Sequence, residues 1–167
     1  VFYNMGSLSV VDIINRQEYY RILTSLFLHA NPQHIWGNMI FLAALGDMLE
    51  RSIGHGRFFA IYMLAGIGGN LLSMGHELAT GQFCSTIGAS GAVFGLIGAL
   101  LLLICKNNGT YGQVSFRRMI FAIVYLFYSG IQSETTNNMA HLGGFITGFA
   151  VMAVFYCITR RRYKRIR

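Results

Sequence analysis

The chain has 167 residues, 54% of them hydrophobic and only 11% charged, against roughly 25% charged in an average soluble domain. A soluble fold of this length has too little interior to hide so much apolar surface, so the composition points to a bilayer as solvent. The net charge of +7 would suit a nucleic-acid partner, but six of the thirteen basic residues sit in the closing run "RRRYKRIR"; that is a cytoplasmic membrane flank in contact with anionic lipid, and it argues against nucleic acid.

No polar linker, repeat or low-complexity run divides the sequence, so a single domain over 1–167 is expected. Its 20 glycines are spread through apolar segments, as in closely packed membrane helices. The start, "VFYNMG", is neither a start methionine nor a signal peptide. It reads as the continuation of something upstream. Residues 1–31 are expected to form an outer amphipathic loop with short helices.

Five apolar stretches follow, at about 33–49, 58–76, 88–105, 116–131 and 140–159, against the roughly 20 residues a spanning helix needs. Asn31 is the expected N-cap of the first, with Pro32 at its first helical position. Arg51 and Arg57 fall between the first two stretches; Lys106, Arg117 and Arg118 fall between the third and fourth. With the tail 160–167, eleven basic residues lie on one side and only Arg16 and Arg21 on the other. The positive-inside rule then places the C-terminus in the cytoplasm and the segments near 77–87 and 132–139 outside. Cys84 lies outside while Cys105 and Cys157 lie inside, so no disulfide framework is expected. "HELAT" lacks the second histidine of a zinc protease motif, and no metal site is expected.

Polar residues in a span call for an explanation. Ser90, His141, and the pair His34 and Asn38 all fall at outward ends of their stretches. His34 and Asn38 are four apart and share a helical face, where two N–H donors can hold an oxyanion. Ser90 at a helix N-terminus has free backbone N–H groups beside it, and His141 can serve as a base. Gly91 with Gly95, and Gly144 with Gly148, are small-residue pairs that would let the third and fifth stretches approach. Phe94, four after Ser90, is placed to cover the His141 ring. Each feature alone is more often a packing device, and only their coincidence at one membrane face favours chemistry. No carboxylate is expected at this face, Glu77 and Glu134 being read as loop residues. "GASGA" is not the G-x-S-x-G elbow of soluble hydrolases, so the reading is a Ser–His dyad. His29, His55 and His76 are assigned no chemistry.

These residues resemble the rhomboid family of intramembrane serine proteases. "GASGAVFG" (88–95), beginning at Gly88, is similar to its G-x-S-G nucleophile motif, "AHLGGFITG" (140–148) to its H-x-x-G-x-x-x-G segment, and "HANPQHIWGN" (29–38) to its H-x₄-H-x₃-N segment. The resemblance implies an all-α polytopic membrane bundle and a serine endopeptidase acting on transmembrane-anchored proteins near the outer membrane face. Ser90 would be the nucleophile, His141 the general base and acid, and His34, Asn38 and the Ser90 N–H the oxyanion donors. No metal or organic cofactor is implied. The segment 132–139 would cap the site, with Asn138 helping from it. The family's core has six spans, so the first is expected to lie before Val1. Tyr20–Arg21 stands where the family often has Trp-Arg and is expected to keep its anchoring role. The reading as a whole is of a multi-pass protein of a bacterial cell (inner) membrane. The alternative is a non-catalytic rhomboid-like protein that binds client transmembrane helices.

Overall fold

The computed structural model describes residues 5–132 and 136–165, with side chains of the last helix described through residue 159. Two short helices, α1 (Val10–Arg16) and α2 (Arg21–Thr24), and a 3-10 turn (Ser25–Phe27) form the segment before the long helices. Five long helices follow: α3 (Pro32–Ile53), α4 (His55–Thr80), α5 (Ser90–Lys106), α6 (Phe116–Ile131) and α7 (Asn138–Arg165). The protein is thus mostly helical. One addition is a two-stranded antiparallel hairpin, Thr110–Tyr111 with Val114–Ser115, between α5 and α6.

The helix ends explain where the apolar stretches were too short a guide. Asn31 accepts from the His34 N–H and Pro32 opens α3, as its sequence indicates. At its far end α3 runs on through a polar turn, carried by the Asp47–Arg51 pair at 2.8 Å, to Gly54 at φ 85°. Helix α4 continues past the apolar stretch to Thr80, where Gly81 in the left-handed region stops it. Glu77 is therefore a helical residue and 3% exposed, which corrects its placement in a loop. Asn138 is likewise the first residue of α7 rather than part of a loop. Of the expected cap 132–139, residues 133–135, with Glu134, lie outside the described residues, as do 1–4 and 166–167.

By length and composition, α4 and the Asn138–Thr159 part of α7 can cross a membrane, while α5 is an apolar helix of 17 residues, about 25 Å long. Every residue of α5 from Gly91 to Leu100 is buried, as expected of a helix that is apolar all round. One apolar cluster joins Leu96, Ala99 and Leu102 of α5 to Leu49, Ile61 and Met152. A second joins Phe94, Ile97, Leu100 and Ile104 to Met119 of α6. Helix α6 is peripheral, with Phe121, Val124, Tyr125, Tyr128 and Ile131 exposed.

Helices α5 and α7 touch backbone to backbone. A Cβ at Gly144 would collide with the Gly91 carbonyl oxygen, and one at Gly148 with the Gly95 carbonyl oxygen. This N-terminal segment is fastened by Arg21, which is 3% exposed. It donates to Glu18 at 2.6 Å and to the Ser7 carbonyl at 3.0 Å. Tyr20 stays exposed and donates to the Met5 carbonyl. The aromatic is thus exposed while the cation ties the segment together.

Candidate active site

Ser90 is the first residue of α5, with Ala89 in the N-cap position and no side-chain cap. The first turn therefore leaves backbone N–H groups beside Ser90 without intrahelical partners. Gly88 leads in at φ +121°, a conformation that costs other residues strain. A Cβ there would also lie 2.7 Å from two atoms of the His34 ring. Glycine is required at this position both for the turn and for the approach of the histidine.

His141 stands in the first turn of α7, and its Nε2 lies 2.9 Å from Ser90 Oγ in hydrogen-bond contact. The α5–α7 glycine contacts begin one residue after Ser90 and three after His141, which is why two side chains on separate helices can meet. Phe94 stacks on the imidazole with ring centroids 4.1 Å apart and planes 11° from parallel. That face-on contact fixes the ring's orientation. His141 Nδ1 is buried without a hydrogen-bond partner among the described residues. Among the described residues no carboxylate bonds to it, and the Phe94 ring is its stacking partner.

His34 and Asn38 project from the first two turns of α3 into the cavity that also holds Ser90 and His141, of about 620 Å³. The Ala30 N–H donates to His34 Nδ1 over a long 3.5 Å. That assigns the proton to Nε2, the nitrogen facing Gly88. Asn38 is 7% exposed, and its Nδ2 is buried with no partner among the described residues. An unspent donor in a buried amide is costly unless something else uses it. His29 sits edge-on to His34, ring centroids 5.1 Å apart. Burial first, and then the neighbouring His34, push its pKa below the ordinary histidine value. The cavity wall away from the polar groups is apolar, with Phe41, Ile97 and Leu126.

The structure thus brings Ser90, His141, His34 and Asn38 to one cavity, lined also by Gly88, Gly91 and Phe94, while Gly95, Gly144 and Gly148 lie in the α5–α7 contact beside it. Asn138 is not at this cavity; its Oδ1 is buried toward Gly130 of α6. The neighbour, Asn137, lines it instead. Sequence reasoning passed over Asn137, although an asparagine just before an apolar helix is a capping signal. Glu77 was also missed, because a polar "HEL" looked like the end of the helix.

A rhomboid domain model matches residues 16–157. RHOMBOID-like protein 1 of Arabidopsis thaliana is 37% identical over 153 residues, 90% of this chain and 38% of that protein. RHOMBOID-like protein 7 of the same plant is 32% identical over 146 residues, 87% of this chain and 45% of that protein. Rhomboid protease GluP of Bacillus subtilis is 34% identical over 142 residues, 85% of this chain and 27% of that protein. The chain spans less than half the length of these relatives. With its motif segments converging on one cavity and its length matched nearly end to end, the chain belongs to the rhomboid family of integral membrane proteins.

Proposed function

We propose that this chain is an intramembrane serine endopeptidase that cuts transmembrane-anchored proteins near the outer membrane face. The observation that carries the reading is the 2.9 Å contact between Ser90 Oγ and His141 Nε2, in a cavity shared with two further N–H donors. One of the relatives is named a rhomboid protease, which supports the same chemistry here.

In this mechanism Ser90 Oγ attacks the scissile carbonyl while His141 Nε2 takes the hydroxyl proton. His141 then returns that proton to the leaving amine, and the acyl group stays on Ser90. Water repeats the sequence in reverse, deprotonated by His141, and frees the acid. The oxyanion of each tetrahedral intermediate is held by His34 Nε2–H, Asn38 Nδ2–H and the Ser90 N–H. Such preorganised donors stabilise charge that exists only in the transition state. Stacking on Phe94 takes the orienting role that a carboxylate has in a triad.

The membrane arrangement proposed is five spans in this chain, α3 to α7, with the C-terminus cytoplasmic. Helix α5, of 17 residues, is shorter than α4, of 26, by about 13 Å at 1.5 Å per residue. Gly95 meets Ala65, which sets Ser90 about two to three turns short of the Thr80 end of α4, a depth that in this arrangement lies inside the bilayer. Partners are transmembrane protein substrates and surrounding lipid. The test is reconstitution in liposomes with a labelled transmembrane substrate. Wild type should cut it and react with a serine-directed phosphonate, and Ser90→Ala should do neither. Equal cutting by both, or no reaction by either, would leave the non-catalytic client-binding reading in its place.

A further inference from the structure

Behind the Ser90–His141 pair lies a partly buried polar chain that the mechanism above does not use. Asn137 Nδ2 donates to Ser73 Oγ at 2.6 Å and to Thr86 Oγ1 at 2.7 Å. Ser73 Oγ donates in turn to Glu77 Oε1 at 3.1 Å. Glu77 Oε2 accepts the Cys84 N–H at 3.3 Å. On its other side Asn137 caps α7: its Oδ1 accepts the Ala140 N–H at 3.0 Å and its carbonyl accepts the His141 N–H at 3.2 Å. One side chain thus touches the helix start carrying His141, the strand of loop leading to Ser90, and the buried end of α4.

We propose that Asn137 is a positioning residue for the dyad: its amide locks residues 84–89, which aim Ser90, to the first turn of α7, which aims His141, with Ser73 and Glu77 as the fixed anchor. This rests on the protease reading. Three features carry it. Ser73 and Glu77 are 1% and 3% exposed, so the anchor is inside the fold and cannot exchange its bonds freely with water. Thr86 is held on its backbone edge as well, pairing with Leu8 in both directions at 2.8 and 3.0 Å, so the loop is fixed from two sides. And Asn137 is the one of these residues that bonds both to the first turn of α7 and to the segment leading to Ser90, through the Thr86 hydroxyl.

The bridge and the cap are separable chemically. Serine caps a helix about as well as asparagine but has no amide to reach Ser73 and Thr86. Asn137→Ser therefore keeps the cap and removes the bridge, and Thr86→Val removes the loop's acceptor without touching α7. The experiment measures kcat and KM on a reconstituted transmembrane substrate and the rate of phosphonate labelling of Ser90. Misplacement on the ångström scale can cost up to about 100-fold, so each variant should lose at least tenfold in kcat and in labelling rate. KM should stay within twofold, and the double variant should be no slower than either single one. Wild-type rates in both single variants, or fully multiplicative losses in the double variant, would overturn the positioning role while leaving the protease reading intact. If Asn137→Ser does not fold, Thr86→Val alone decides by the same kcat criterion. A wild type inert to substrate and phosphonate would overturn the protease reading, and this role with it.

Discussion

Gly144 of α7 lies against the backbone carbonyl of Gly91 on α5, with no room for a methyl group between them. Gly91 directly follows Ser90, and Gly144 stands one helical turn after His141. The helix separation set by this glycine contact is the separation at which Oγ and Nε2 meet at 2.9 Å. Packing and chemistry are the same contact seen from two sides.

Gly144→Ala should therefore injure both. Forcing a methyl into a filled interface costs about 1–3 kcal/mol, read as a lower unfolding midpoint in detergent. Phosphonate labelling of Ser90 should slow in parallel, because the helices must part to admit the methyl. An alanine accepted with neither loss would show that the helix spacing is set elsewhere.

Gly88→Ala places a side chain at φ +121° and against the His34 ring. Backbone strain of this kind costs about 1–3 kcal/mol. The larger effect should be on turnover, because Gly88 leads into Ser90 and backs His34. Unchanged kcat in a folded Gly88→Ala protein would separate the turn from the chemistry.

His34→Ala and Asn38→Ala test the oxyanion donors one at a time. Each should lower kcat by about 10²–10³-fold with little change in KM, since such donors act mainly in the transition state. Asn38→Ala removes a donor that has no partner among the described residues, so its cost in stability should be small. Loss of folded protein in place of turnover would return Asn38 to a packing role.

Cys84 offers a pH test at the edge of the site. Burial raises its thiol pKa most; its hydrogen bond with Thr86 partly offsets this, and the Glu77 carboxylate at 3.4 Å raises it further. The thiolate is the reactive form, so alkylation by iodoacetamide should be slow at neutral pH and speed up as pH rises toward the raised pKa. Glu77→Gln removes the negative charge, lowers the thiol pKa and should accelerate alkylation at pH 7.5. An unchanged rate would mean that the carboxylate does not act on the thiol.

Much of this site was legible in the sequence because helices translate spacing into direction. His34 and Asn38 share a face at four residues apart, and the glycines of α5 and α7 repeat at the same interval. What was not legible is equally instructive. "HEL" at 76–78 looks like the polar end of an apolar helix, yet Glu77 is buried and hydrogen-bonded by Ser73 and Cys84. Burial of a polar side chain is decided by what packs on it, which the residue types along one helix do not reveal. The same reason separates Asn137 from Asn138. Adjacent asparagines look alike in a sequence, but only one of them faces the loop before Ser90.

The sequence by itself determined the class of solvent, the number and order of the long helices, and the residues with the right chemistry. Composition, hydrophobic periodicity and side-chain type are local properties that need no neighbours. The tertiary structure decided that Ser90 and His141 touch and that Phe94 stacks on the imidazole. Those are outcomes of contacts between residues dozens of positions apart, set by how closely glycine lets α5 and α7 approach.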